Sequence, residues 1–317
     1  MEAKEVDALP RGDGWQYEPK WDGFRCIAFK DGAAVELQSK SGQPLARYFP
    51  EVVERLRKVP ARKFVVDGEL VVRIKSALSF DDLLQRIHPA ESRVKRLAAA
   101  TPAAFVVFDL LAEGARVLTG LPLSERRPRL EAFMKKYATD GFELSPMTRN
   151  PSTAKKWLST AGGDLDGVMA KKTDSPYDAG ERRAMVKIKR RRTADCVVGG
   201  FRYGTNTRVV GSLLLGVYDD AGLLHHVGFA SNIPAEERPA VTQRLQALKG
   251  GFGFTGRAPG GPSRWTTDRS AEWIPLTPKL VVEVEYDHFS QRRFRHGTKL
   301  LRWRPDKAPR QCTFDQF

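Results

Sequence analysis

A chain of 317 residues with 41% apolar and 29% charged residues has room for two packed domains and the composition of a globular protein. Its net charge of +15 points to a polyanionic partner, with nucleic acid the first candidate. No apolar run nears the ~20 residues of a membrane span, and the charged start Met1-Glu2-Ala3-Lys4-Glu5 lacks a signal-peptide core. The dispersed Cys26, Cys196 and Cys312 exclude a zinc cluster and argue against a disulfide framework, all of which points to a reducing cytoplasm.

The predicted elements alternate in type along the first half. Cys26 to Phe29 reads as a strand closed by Lys30-Asp31-Gly32, with Ala33 to Gln38 returning as the second arm of a hairpin. Phe49 to Lys58 reads as a helix with Val52, Val53 and Leu56 on one side. Phe64-Val65-Val66 and Leu70-Val71-Val72 flank Asp67-Gly68, a strand pair or a bulge. Ser79 is placed to cap a helix over Phe80 to Ile87. Phe105 to Leu111 is a continuous apolar strand, Ser124 to Tyr137 and Ser152 to Leu158 are helices, and Gly167 to Ala170 and Ala184 to Lys189 are strands.

Past Thr193 the pattern becomes strand after strand: Cys196 to Phe201, Ser212 to Tyr218 and Leu223 to Phe229, then a helix at Ala235 to Leu248 and strands near Val281 and Leu300. That order fits a small barrel of about five strands with one helix. The expected fold class is therefore α+β, with a first domain at residues 1–190 and a barrel domain at residues 191–317. Charge is patchy. Gln291 to Arg310 carries eight basic residues against one acid, and Lys187 to Arg192 carries five in six.

Two motifs are set aside. Gly251-Phe252-Gly253-Phe254-Thr255-Gly256 matches a dinucleotide fingerprint, but it follows a helix instead of a strand and runs into Pro259-Gly260-Gly261-Pro262. His225 and His226 are adjacent, so in a strand they face opposite sides and make a poor metal pair.

The chemistry-bearing stretch is Tyr17-Glu18-Pro19-Lys20-Trp21-Asp22-Gly23-Phe24-Arg25, which contains K-x-D-G-x-R. A nucleophilic lysine must shed its proton, so it needs burial or neighbouring cations. Arg25 and the strand-borne pair Lys187 and Lys189, two residues apart and so on one face, are candidates. Glu69 and Asp166 each sit beside a glycine at the end of an apolar strand, where a carboxylate suits a hard cation such as Mg²⁺.

Taken in order, Lys20 with its motif, Ser39-Lys40-Ser41-Gly42, Asp67-Gly68-Glu69, Phe108-Asp109, Asp166-Gly167-Val168-Met169, Lys187-Ile188-Lys189 and Arg302-Trp303-Arg304-Pro305-Asp306-Lys307 resemble the covalent nucleotidyltransferase superfamily of ATP-dependent DNA ligases, RNA ligases and mRNA capping enzymes. Arg47-Tyr48-Phe49-Pro50, Thr193 to Val198 and the Arg-Trp-Arg-Pro-Asp-Lys ending are most similar to the short bacterial DNA ligases of the ligase C type and to the ligase module of ligase D. The resemblance implies a nucleotidyltransferase (adenylation) domain followed by an OB-fold barrel. It implies Lys20 as the nucleophile that carries AMP, with Asp22 in its motif, Glu18 on the adenine amino group, and Phe108 and Met169 around the base. Arg25 and Lys40 would reach ribose and phosphates, Lys187 and Lys189 the α-phosphate, and Arg182 the nucleotide or a 5′-phosphate. Arg302, Arg304, Asp306 and Lys307 would orient the leaving pyrophosphate, and Glu69 and Asp166 would hold Mg²⁺ or Mn²⁺.

The implied reaction seals a nick in duplex DNA in three steps: AMP on Lys20, AMP on the 5′-phosphate, then attack by the 3′-hydroxyl. Lys189 to Thr193 would be the hinge between the domains. The alternative within the superfamily is an RNA-end enzyme or a GTP-using capping enzyme, which a label from GTP would reveal. DNA is expected to be held by basic patches including Arg86, Arg93, Lys95 and Arg96, because the chain starts too near Lys20 for a further DNA-binding domain before it. A monomer working in DNA repair at the bacterial nucleoid, with end-binding proteins as partners and no membrane, completes the expectation. Two positions depart from the family pattern: Asp166 stands where glutamate is usual, and Lys40 where arginine is common.

Overall fold

The computed structural model describes residues 1–75, 77–161, 165–260 and 272–317. The chain divides into two compact units, Met1–Arg190 and Arg191–Phe317.

The first unit holds two sheets. The larger runs Ala34–Ser39, Phe24–Asp31, Lys63–Ile74, Ala103–Glu113 and Arg116–Val117, all antiparallel neighbours, with Phe142–Leu144 added in parallel beside Ala103–Glu113. Asp31 and Ala34 pair across Gly32-Ala33, and Gly32 takes the left-handed conformation (φ 58°) that a two-residue hairpin turn requires. Asp67-Gly68 makes no turn: Lys63–Ile74 is one continuous strand, and its register against Ala103–Glu113 shifts between Asp67 and Gly68. Of the two readings of that dipeptide, the bulge holds. Gly68 is required there, since a Cβ would lie 2.6 Å from the Val106 carbonyl oxygen.

Helix Pro50–Lys58 forms where proline supplies the first helical position and Arg55, Arg57 and Lys58 complement the carbonyl end. It buries Val52, Val53 and Leu56 against a core that includes Phe64, Phe105, Phe133 and Phe142. Ser79 caps its helix by accepting from the Asp82 N–H, but that helix ends at Leu84 instead of Ile87. Leu123–Tyr137 and Pro151–Thr160 complete the long helices, the latter capped by Asn150.

The smaller sheet has the order Lys4–Glu5, Met185–Ile188, Leu165–Lys172, Trp15–Trp21. Alternation gives it two faces. Tyr17, Val168, Ala170 and Ile188 pack with Ala154, Trp157 and Leu158 of helix Pro151–Thr160. The other face carries Glu18, Lys20, Met169, Lys171, Met185 and Lys187.

The second unit is a curled antiparallel sheet in the order Leu224–Ala230, Val210–Tyr218, Arg192–Tyr203, Val281–Tyr286, Lys299–Trp303. Its outer strands approach through a bridge from Ala230 to Thr298, with the Thr298 N–H donating to the Phe229 carbonyl at 2.9 Å. Helix Arg238–Gln246 sets Val241 and Leu245 into the core beside Leu213, Leu215 and Val284. Cys26, Cys196 and Cys312 are all buried free thiols. Among the described residues, no helix is long and apolar enough to cross a membrane.

Gly251 to Gly256 forms no phosphate loop. The Gly251 backbone lies too close to Thr277 for any Cβ, at 2.2 Å from its nitrogen, and no helix starts there. Gly261 and Pro262, which complete the loop expected after it, lie outside the described residues.

Candidate active site

In the first unit the two sheets line a cavity of about 230 Å³. Glu18, Lys20, Met169, Lys171, Met185 and Lys187 come from the smaller sheet, and Arg25, Glu69 and Phe108 from the larger, with Lys40 just past its edge strand. Strand register makes this grouping inevitable. Across the smaller sheet Glu18 pairs with Met169 and Met169 with Lys187, so the three form one row; Gln16 and Lys171 form the adjacent row, and Lys20 and Gly167 the next. Across the larger sheet Arg25 pairs with Glu69.

Two irregularities aim the remaining groups. Phe108 has no partner across the ladder, because Asp109 faces Asp67 and Val107 faces Gly68. As the bulged residue it leaves the core side and faces the cavity. On the smaller sheet the register slips between Leu165 and Gly167, which makes Asp166 the extra residue. Gly167 sits at φ 146° with the Ile188 carbonyl oxygen 2.0 Å from where a Cβ would be, so only glycine fits. The bulge brings Asp166 Oδ2 to 2.5 Å from Lys20 Nζ and 3.4 Å from Lys189 Nζ. Gly23 of the lysine motif has a similar cause: a Cβ there would lie 2.2 Å from the Leu70 carbonyl oxygen and 2.8 Å from Glu69 Cγ.

At the deep end Glu18 is 2% exposed. Its Oε1 accepts from Gln16 Nε2 at 2.8 Å and its Oε2 from Lys171 Nζ at 2.7 Å. The Lys171 ammonium also lies 4.5 Å from the Phe108 ring centroid. Arg25 is bidentate to the fully buried Asp67, at 3.1 and 2.7 Å, and burial, which opposes its charge, is outweighed by that carboxylate. Burial pushes the Glu69 carboxyl up to about 8, against the pull of Lys20 and Arg25.

Several cations carry an internal counter-ion from the first residues of the chain. Glu2 meets Lys40 at 3.2 Å and Arg182 at 2.9 Å, and Glu5 meets Lys187 at 3.2 Å. Lys189, Asp22, Asp166 and Arg182 stand outside the cavity lining, Asp166 and Lys189 reaching it through Lys20. Among the described residues no three His, Cys, Asp or Glu side chains cluster as metal ligands.

Arg302, Arg304, Asp306 and Lys307 belong to the second unit. Arg304 is held by Asp306 and, at 3.0 Å, by Asp195, whose other oxygen accepts from Lys307 Nζ at 2.7 Å; Arg302 donates to Glu283 at 2.6 Å. Arg86, expected in a DNA-facing patch, is fully buried: it pairs with Glu51 at 2.8 Å and covers the Phe49 ring. It is a core strut and cannot touch DNA. Lys95 and Arg96 on the same segment are exposed.

Sequence reasoning passed over Lys171, Tyr177, Asp67 and Asp195. Period-two alternation from Met169 was the available signal for Lys171. Asp67 and Asp195 act through partners distant in sequence, which no local pattern reveals.

The comparisons agree with this geometry. Residues 2–189 match the model of the ATP dependent DNA ligase domain, and residues 206–307 that of the ATP dependent DNA ligase C terminal region. The chain is 45% identical to DNA ligase C2 of Mycolicibacterium smegmatis, over all of this chain and 93% of that protein. It is 42% identical to DNA ligase C of Mycobacterium tuberculosis, over all of this chain and 92% of that protein. Among solved structures, mycobacterial DNA ligase D complexed with ATP and MES superposes with a TM-score of 0.52 at 26% identity, covering 98% of this chain and 96% of that one.

Proposed function

The chain belongs to the ATP-dependent DNA ligase family, and on that premise we propose that Lys20 is the residue that carries AMP between ATP and a 5′-phosphate at a DNA nick. The observation that carries the reading is the placement of Lys20 on the lining of a cavity that it shares with a buried carboxylate, Glu18, and with Phe108 and Met169. Lys20 nitrogen attacks the α-phosphorus, the bond to the β-phosphate oxygen breaks, and pyrophosphate leaves. The ammonium must first give up a proton, and Asp166, at 2.5 Å, is the acceptor in reach. Glu18 accepts from the adenine amino group, a role a carboxylate fills and that guanine, with a carbonyl there, does not satisfy. Arg25 serves the ribose, and Lys40, Lys187 and Lys189 the phosphates. Arg182 takes the 5′-phosphate, Asp22 supports Lys20, and Arg302, Arg304, Asp306 and Lys307 orient the pyrophosphate.

Glu69 and Asp166 fit a Mg²⁺ or Mn²⁺ ion: Glu69 is a half-buried carboxyl whose ionisation a cation would favour, and so few protein oxygens suit an ion that takes its other ligands from phosphates and water. When bound, the ion neutralises charge on the phosphate oxygens. Residues 1–190 are the adenylation domain and residues 191–317 the OB-fold domain, with Lys189 to Thr193 as hinge. Arg93, Lys95 and Arg96 contribute to DNA grip, which falls steeply with salt. The protein works as a monomer in bacterial DNA repair at the nucleoid, with end-holding proteins as partners.

Intact mass before and after ATP, and after pyrophosphate, tests the central step. One AMP is added to the wild-type chain, removed by pyrophosphate, and never added to Lys20→Ala. An adduct on Lys20→Ala, or label from GTP and none from ATP, would overturn the assignment.

A further inference from the structure

Tyr177 lies in the segment between the strands Leu165–Lys172 and Met185–Ile188, and its hydroxyl is in the network around Arg25. It donates to Asp67 Oδ2 at 2.8 Å and accepts from Arg25 Nη2 at 3.2 Å. Its ring packs against the cluster of Met1, Ala184 and Met185, with the Arg126 guanidinium 5.7 Å from the ring centroid. The backbone is tied down as well, since Tyr177 N–H donates to the Thr119 carbonyl at 2.8 Å. Arg126 itself is immobilised by a bidentate pair with Asp109, at 2.9 Å for both bonds.

The donors of Arg25 can be accounted for one by one. A guanidinium has five N–H groups. Nε–H goes to Asp67 Oδ1, the two on Nη2 to Asp67 Oδ2 and Tyr177, and one on Nη1 to the Met1 carbonyl at 2.6 Å. The fork that would grip a phosphate bidentately is spent on Asp67. One Nη1 N–H is left over at a residue that lines the cavity, which suits a single acceptor such as a ribose hydroxyl oxygen.

We propose that Tyr177 is a positioning residue for nucleotide binding: its hydroxyl completes the Asp67–Arg25 clamp and turns the Nη1 edge of Arg25 toward a ribose hydroxyl. The proposal rests on the assignment of the cavity to ATP. Without the hydroxyl, Asp67 Oδ2 and Arg25 Nη2 each lose a partner, and the guanidinium is held by Asp67 and the Met1 carbonyl alone.

The test is Tyr177→Phe, which keeps the ring. Formation of the AMP adduct is measured with ATP and with 2′-deoxy- and 3′-deoxy-ATP, alone and in an Arg25→Ala background. The expected result is a rise in KM for ATP of about tenfold, the size of one hydrogen bond to a charged group, with kcat changed far less. The preference for ATP over whichever deoxy analogue the wild type disfavours collapses toward that of Arg25→Ala, and Tyr177→Phe adds nothing once Arg25 is gone. A wild-type KM and preference in Tyr177→Phe overturns the proposal, as does full additivity with Arg25→Ala. Asp67→Asn enters the same clamp from the other side and must shift the preference the same way; an unshifted preference there also overturns it. Failure of the wild-type chain to take up AMP at all would instead sink the assignment of the cavity.

Discussion

Lys171→Met is the substitution with the sharpest consequence. Lys171 and Glu18 are both nearly sealed from solvent, and the methionine matches the lysine stem in length while deleting the charge. Removing one partner of a buried pair costs about 3–5 kcal/mol because the other charge is left uncompensated. The orphaned carboxylate has an exit: it can take a proton. Against an ordinary carboxylate midpoint near pH ~4.3, that exit costs about 1.4 kcal/mol per pH unit, so the loss is capped at about 4 kcal/mol at pH ~7.5 and at about 1.6 kcal/mol at pH ~5.5. The destabilisation should therefore shrink as the solution is acidified, read from urea unfolding at the two pH values. Function should move with it. A protonated Glu18 donates where it should accept, so KM for ATP rises and the margin over GTP narrows. Glu18→Gln combined with Lys171→Met should recover most of the stability, since neither charge is then buried alone, yet keep the loss of adenine preference. A destabilisation independent of pH would refute the reasoning, because it would mean that packing, not the stranded charge, carries the cost.

Three further outcomes follow from the ionisable groups. Burial, with Arg293, Arg202 and Arg257 nearby, pushes the His226 imidazole down to about 3, so it is buried neutral. Its contribution is present above the ordinary value of 6.5 and is lost as pH falls through about 3; His226→Phe should spare about 2–3 kcal/mol of the acid-induced loss between pH ~7.5 and ~4.5, and acid unfolding curves that coincide with wild type would contradict this. Glu69 has the opposite sign: a carboxyl raised from 4.5 to about 8 gives stability that is complete below 4.5 and lost as pH rises through about 8. Glu69→Gln should flatten that slope in thermal midpoints, and Mg²⁺ should lift the midpoint of the wild type at alkaline pH more than that of the variant. Finally, Glu2→Gln with Glu5→Gln removes the anions seated on Lys40, Arg182 and Lys187. KM for ATP should fall at low salt and converge with wild type at high salt; an increase would show that these acids organise the cations instead of competing for them.

The sequence made the site legible where one strand carries the information. Glu18 and Lys20 share a face by alternation alone, whereas the strand expected to Lys189 ends at Ile188 and only Lys187 of that pair lines the cavity; the Asp-Gly and Lys-x-Asp-Gly glycines have steric reasons in the approach of the Leu70 and Ile188 carbonyls. Phe108 lies inside a continuous apolar stretch whose two faces the sequence does not distinguish; it lines the cavity at a bulge, which depends on how the neighbouring strand is paired. Arg86 failed for a related reason. A lone arginine in a basic stretch looks solvated, but Glu51 lies 35 positions away and only the fold brings the two together. The Glu2 and Glu5 contacts were equally hidden, since they arise from a short parallel pairing of Lys4–Glu5 with Met185–Ile188.

The counter-ions of the cavity fall into two classes, and the division matches the work asked of each end. Glu18–Lys171 and Asp67–Arg25 are built around carboxylates that are at most 2% exposed, so exchanging their partners would strand a buried charge. Lys20–Asp166, Lys187–Glu5 and Lys40–Glu2 reach solvent on at least one side. Such pairs are weak and exchange readily. On the proposed assignment, an incoming triphosphate would take over the exposed cations without disturbing the Glu18–Lys171 pair, and each carboxylate it displaced would be released where positive charge had just been neutralised. For Asp166 the proposed assignment has a specific consequence: the group that pairs with Lys20 before ATP arrives would keep only Lys189, at 3.4 Å, as its partner afterwards, and would have an oxygen to offer a cation. The shorter side chain at this position then reads as a compromise between two partners, the amine of Lys20 and a cation, and Asp166→Glu should change the metal requirement of adenylylation more than the affinity for ATP.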